Sequence, residues 1–164
     1  MQVLSFVCTN KRGDVLKKND TPEEQTCSLN SCLFFTTVKL SRVFGKVAED
    51  AFSKTGLSPS HALLLYLVNQ KEEILQKELG ETLLLTPSTV TRLIEKLERK
   101  KLVSKRCEGK SVILSTTPEG IALQKTVMES WNSLHKKYQG ILTQEETALF
   151  LNLSKKLLGK LENN

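Results

Sequence analysis

The stretch Thr86-Pro87-Ser88-Thr89-Val90-Thr91-Arg92-Leu93-Ile94-Glu95-Lys96-Leu97-Glu98-Arg99-Lys100-Lys101 decides how the rest of the chain is read. Thr followed by Pro is a helix opening. The hydroxyl accepts a bond from an orphan amide of the first turn, and proline loses nothing where its missing donor would have had no partner. Val90, Leu93, Ile94 and Leu97 then recur at i, i+3, i+4 and i+7, a single apolar stripe. At about 100° per residue the opposite side carries Ser88, Arg92, Glu95 and Arg99, with Thr89, Thr91 and Lys96 on its flanks. Hydroxyls and guanidinium groups therefore face away from the core.

Immediately upstream, Ile74, Leu75, Leu79 and Leu83 predict a helix over about residues 72–84, separated from the next by only two or three residues. Downstream, residues 102–107 and 111–115 read as two short strands around Glu108-Gly109-Lys110, a glycine-containing hairpin turn. Helix, short turn, helix, then a two-stranded ribbon is the layout of a winged helix-turn-helix, whose second helix enters the major groove of DNA. Charge agrees with this layout. From Thr86 to Lys110 eight basic residues stand against three acidic ones, so +5 of the chain's net +6 lies on this segment.

Further out, Ser58-Pro59 opens a helix through Leu63, Leu64, Leu65 and Leu67 to about Asn69, too apolar all round for a surface element. Before it, Leu33, Val38, Leu40, Val43, Val47 and Phe52 predict a long amphipathic helix over residues 32–52 that ends near Gly56. After the ribbon, Thr117-Pro118 opens a helix to about Tyr138. Thr143-x-x-Glu146 then forms a capping box for a last helix, with Leu149, Phe150, Leu153, Leu157, Leu158 and Leu161 in one stripe. Residues 1–30 read as a polar extension with at most a short helix from Thr21.

The 164 residues suit one compact domain, 39% hydrophobic and 26% charged, with a core mainly of aliphatic side chains. The net charge favours a polyanionic partner. The longest apolar run, 62–68, is far short of the roughly 18 residues that span a membrane, and the N-terminus lacks the plan of a secretory signal; a cytoplasmic protein is expected. Cys8, Cys27, Cys32 and Cys107 contain no Cys-x-x-Cys pair, so neither a zinc site nor a disulfide framework follows. Gly109-Lys110-Ser111 lacks the earlier glycine and the following helix of a phosphate loop. His61 and His135 lie on different helices without a matching carboxylate or cysteine set, so no catalytic residues, metal or cofactor are expected.

Residues 89–98, followed by Leu102-Val103, by 114–120 after the hairpin, and preceded by 57–65, resemble the MarR (multiple-antibiotic-resistance regulator) family over about residues 32–162. The resemblance implies a homodimer with entwined terminal helices, two winged motifs on a near-palindromic operator, and transcriptional regulation, most simply repression. On that basis residues 31–56 form a first dimerisation helix, 57–117 the DNA-binding region and 118–164 the C-terminal dimerisation helices. The fold expected is thus mainly α, a winged helix-turn-helix with a two-stranded wing between dimerisation helices.

Double-stranded DNA is the expected partner. Arg92 is assigned to base readout because arginine forks onto guanine O6 and N7. Ser88, Thr89 and Thr91 are assigned to base edges or phosphates, Lys96, Arg99, Lys105 and Arg106 to phosphates, and Lys110 to the backbone. The resemblance also implies a small-molecule effector, a phenolic or other aromatic anion; Tyr66, His61, Lys39 and Arg42 serve equally as walls of its pocket or as ordinary packing and surface. Two features depart from the family. The wing turn is short and lacks the usual tip Asp and Arg, and Lys101 replaces a glycine that often closes the recognition helix. Cys32 opens the first long helix, where the peroxide-sensing branch keeps its reactive thiol. Two alternatives therefore stand beside the regulator: a winged protein-interaction module without specific DNA binding, and a cysteine-based redox sensor.

Overall fold

The computed structural model describes residues 32–162; the polar extension 1–30, with Cys8, Cys27 and the Thr21-Pro22 pair, lies outside them. The chain divides into two compact units, 1–47 and 48–164. The first is described through helix α1 (Leu33–Phe52), whose residues up to Val47 are half-buried or exposed, Leu33, Phe34 and Val43 among the exposed. Only Ala51 and Phe52, in its last turn, are buried, and these belong to the second unit.

The second unit continues with a 3-10 turn (Ser53–Thr55), α2 (Pro59–Asn69), β1 (Ile74–Leu75), α3 (Gln76–Leu83), α4 (Pro87–Arg99), β2 (Val103–Glu108), β3 (Ser111–Thr116), α5 (Pro118–Gln139) and α6 (Gln144–Leu161). The result is the winged helix-turn-helix that the sequence implies. Its core joins Leu64, Leu65 and Val68 of α2, Leu79 of α3, Val90, Ile94 and Leu97 of α4, and Leu114 of β3, all at most 1% exposed. Phe52 packs edge-on against Trp131 of α5 at 5.4 Å, and Tyr66 stacks on the same indole at 6.0 Å.

Two details depart from the expected pattern. The helix expected over 72–84 begins only at Gln76, because Ile74 and Leu75 pair antiparallel with Leu114 and Ile113, and the wing is therefore three-stranded in the order β1-β3-β2. That pairing buries Ile74 on the core side of the sheet and satisfies backbone groups that a helix start would leave open. Ser58 stands at the N-cap of α2, but its hydroxyl lies 2.5 Å from His61 Nδ1 and caps no amide. Thr86 and Thr117, by contrast, accept bonds from the amides of Thr89 and Gly120.

α3 and α4 end alike. The Leu84 and Leu85 amides donate to Glu81 and Gly80, and those of Lys101 and Leu102 to Glu98 and Leu97, so Leu84 and Lys101 take left-handed backbone at φ 51° and 59°. This is the Schellman closure, which glycine usually makes. The residue before α5 then docks on the second closure: Thr117 donates its hydroxyl to the Lys101 carbonyl at 2.6 Å and its amide to the Leu102 carbonyl at 3.3 Å. A Cβ on Gly120 would overlap the Leu102 carbonyl oxygen, which explains the glycine there. Asn69 adds a tie from α2, donating to the Gly120 carbonyl at 3.1 Å and to Gln124 at 2.7 Å.

Candidate nucleic-acid interface

α4 buries its apolar stripe and leaves Ser88, Thr89, Arg92, Glu95, Lys96 and Arg99 exposed along the other side. At the N-terminus the hydroxyl of Thr86 lies 3.2 Å from that of Ser88 and 2.9 Å from that of Thr89, a small hydroxyl cluster at the positive end of the helix. Thr91 differs from its neighbours. It is half-buried, donates to the Pro87 carbonyl at 2.9 Å and accepts from Gln76 Nε2 of α3 at 2.9 Å, so its oxygen ties the two helices together. Arg92 and Lys96 carry no ion pair or hydrogen bond from a side chain among the described residues, and their charges are available to a ligand. Arg99 is directed along its own helix by a bond from Nε to the Glu95 carbonyl at 3.3 Å.

The two wing cations part company. Successive strand residues point to opposite faces, and the register sets Lys105 beside Leu114 and Ile74 on the side facing the helices, and Arg106 beside Ile113 and Leu75 on the outer side. Lys105 meets Glu98 of α4 at 2.8 Å, and this carboxylate raises the lysine's pKa above its ordinary value, first by hydrogen bonding and then by charge. Arg106 forms a fork onto Glu73, at 2.6 and 2.9 Å, and lies 3.1 Å from Glu108. Neither Glu73 nor Glu98 stands out in the sequence as part of the interface. The alternation of strand β2 is the sequence signal that separates the two cations. Lys110 is exposed at the turn, where Gly109 takes φ 58°, and it carries no ion pair among the described residues.

Beneath the interface, His61 of α2 is 8% exposed, and its pKa lies below the ordinary value, first through burial and then through the positive charges of Lys96 and Lys100. Cys32 is half-buried and sits just before α1 in the first unit, while Cys107 is exposed on β2; both are free thiols. No helix of the described residues is long and apolar enough to cross a membrane.

A packed helix pair, an exposed polar and basic second helix and a ribbon beside it define a winged helix-turn-helix of the DNA-reading class. Residues 55–110 match the model of the MarR family. The chain is 25% identical over 126 residues to the HTH-type transcriptional repressor MdtR of Bacillus subtilis, covering 73% of this chain and 81% of that one. Two solved structures share the fold, each at 20% identity. One is a Staphylococcus aureus MepR–DNA complex, with TM-score 0.69, covering 79% of this chain and 97% of that one. The other is CouR from Rhodococcus jostii RHA1 bound to p-coumaroyl-CoA, with TM-score 0.67, covering 82% and 94%. The helix-turn-helix and the first strand of its wing thus match the MarR family, and the chain as a whole is similar to transcriptional regulators that share this fold.

Proposed function

We propose that the chain acts in the cytoplasm as a homodimeric repressor on a near-palindromic operator and that a small aromatic anion releases it. The observation that carries DNA reading is the exposed face of α4, where Arg92 and Lys96 have no partner among the described residues and stand beside the hydroxyls of Ser88 and Thr89. Arg92 reads a guanine edge. Lys96, Arg99 and Lys105 meet phosphates, Ser88 and Thr89 meet a base edge or phosphate at the helix N-terminus, and Lys110 approaches the backbone from the wing. Thr91 serves by holding α4 on α3.

Dimerisation is supported by α6. None of its residues is buried, and Leu149, Phe150, Leu153, Leu157, Leu158 and Leu161 are 44–71% exposed, an apolar row that a second copy would cover. Ligand response is supported by the CouR complex with p-coumaroyl-CoA. The test is selection from a random duplex pool near 150 mM salt. Recovery of a two-fold symmetric motif is the expected result; retention without a motif would leave only nonspecific electrostatics and favour the protein-interaction module. With the motif in hand, Arg92→Ala should relax one operator position and cost about 1–3 kcal/mol of discrimination there. Lys105→Ala should weaken specific and random duplex alike. Equal losses on both duplexes for both variants would overturn these roles.

A further inference from the structure

We infer that Arg106 and Glu73 form a strut across the wing, and that Arg106 is a positioning residue and not a phosphate contact. The inference rests on the DNA-binding reading above and refines the part of it that concerns the wing.

The sheet order makes the pair unusual. β1 and β2 are not neighbours; both hydrogen-bond to β3, which lies between them. With neighbouring strands about 4.8 Å apart, an ion pair from β2 to the residue preceding β1 crosses about 10 Å of sheet. Arg106, Ile113 and Leu75 occupy one row of the register, and the pair crosses β3 on this outer face. Both terminal guanidinium nitrogens, Nη1 and Nη2, are engaged in a fork, at 2.6 and 2.9 Å, and Glu108 adds a second carboxylate at 3.1 Å. Two carboxylates therefore offset the single charge of Arg106. A phosphate would have to displace a bidentate partner from a group that already faces away from α4.

The strut's mechanical role follows from where it ends. Glu73 directly precedes β1, which runs without a break into α3, the helix that α4 packs on through Gln76 and Thr91. β2 follows directly on the closure of α4. A brace from β2 to Glu73 therefore fixes the angle of the ribbon to both helices of the motif, so that Lys105 on the other face and Lys110 at the tip meet the duplex in one setting. β1 has only two residues, which makes a side-chain brace more consequential there than in a longer strand.

The test measures binding of Arg106→Gln, Glu73→Gln and Lys105→Gln variants of the full chain to the selected duplex by fluorescence anisotropy across a salt series. Loss of a phosphate contact lowers the slope of log K against log salt by about 1. Lys105→Gln should do this. Arg106→Gln and Glu73→Gln should each weaken binding by about two- to five-fold, as an exposed pair permits, with the slope unchanged. The exchanged pair, Glu73→Arg with Arg106→Glu, should recover most of the loss.

The opposite signs make the outcome decisive. If Arg106 contacts phosphate, Arg106→Gln lowers the slope, while Glu73→Gln frees the guanidinium and tightens binding. Either result overturns the strut, as does a Glu73→Gln variant with unaltered affinity. Hydrogen exchange of the β2 and β3 amides tests the brace without DNA: faster exchange in both single variants and protection regained in the exchanged pair are expected, and unchanged exchange would overturn it. A wild-type chain that selects no motif would refute the operator reading and leave this second readout standing.

Discussion

α4 and α6 are written in nearly the same pattern, an apolar stripe on one side and Lys, Glu and polar residues on the other, yet the fold treats them in opposite ways. α4 buries Val90, Ile94 and Leu97 completely and turns its charged side outward. α6 buries nothing. Their ends differ as well. α4 is capped by Thr86 and closed by a left-handed Lys101, whereas α6 has a full capping box at Thr143 and Glu146 but leaves through Glu162 in ordinary right-handed backbone. The lesson is that a stripe states only that a face needs a cover. The cover is supplied within the fold for α4, and under the proposed function it comes from a second copy for α6.

The largest effect should come from breaking the buried stripe. Leu97→Ala removes a fully buried side chain from the centre of the core and should cost about 2–5 kcal/mol of unfolding free energy, the same at every protein concentration. Leu157→Ala should cost far less in a dilute sample, because the side chain it shortens is 44% exposed. Its cost should grow with concentration as the wild type gains from association. Denaturant titrations of both variants at two concentrations check this contrast, and matching losses for the two would remove it.

Next in size is the effect on assembly. Leu153→Lys combined with Leu157→Lys places two charges in the exposed row of α6 and should convert the proposed dimer into a folded monomer. Sedimentation velocity reads the mass, and circular dichroism reads the retained helix. A wild-type chain that is monomeric at micromolar concentration would overturn the proposed dimer.

How much of the molecule is legible in its sequence can be judged on these same elements. The spacing of Val90, Leu93, Ile94 and Leu97 marks the recognition helix and its outward face, since both depend on neighbours within two turns. Ile74 and Leu75 share spacing with Leu79 and Leu83, and that local period points to a helix. Their strand pairing depends instead on Leu114 and Ile113, about forty positions away, which no local period reports. The fork of Arg106 onto Glu73 is hidden for the same reason: the two residues are 33 positions apart. One signal is present in the sequence all the same. Adjacent residues on a strand cannot face the same way, which argues against giving Lys105 and Arg106 the same phosphate role.

A smaller effect sharpens the comparison of helix ends. Lys101 stands at φ 59° with an exposed side chain, and its backbone makes the closure that glycine adopts without penalty. Lys101→Gly keeps the carbonyl that accepts the Thr117 hydroxyl and relieves the left-handed backbone, while the unfolded chain gains freedom. A net gain of about 0.5–1 kcal/mol is expected, seen as a higher melting temperature. An unchanged or lower melting temperature would mean that the left-handed lysine carries no strain. No comparable gain is available at Glu162, where α6 ends in right-handed backbone.

The smallest effect reports the electrostatics of the α4 face from beneath. His61 has a folded-state pKa below the ordinary 6.5, through burial first and the charges of Lys96 and Lys100 second. As pH falls below about 6.5 the unfolded chain takes up a proton before the folded one does, so stability declines with falling pH until the folded-state pKa is passed. Its hydrogen bond with Ser58, Lys96 of α4 and Lys100 just past the end of that helix are the polar neighbours that set this balance. Lys96→Gln removes one repelling charge and should move the pKa part of the way back towards 6.5, read from the imidazole resonances in an NMR titration. Binding of the selected duplex should move it in the same direction, because phosphates beside Lys96 would offset that charge. α6 has no histidine and so no such reporter. A His61 titration that ignores both the Lys96 substitution and the duplex would mean that burial alone sets the shift and that Lys96 does not approach the phosphates.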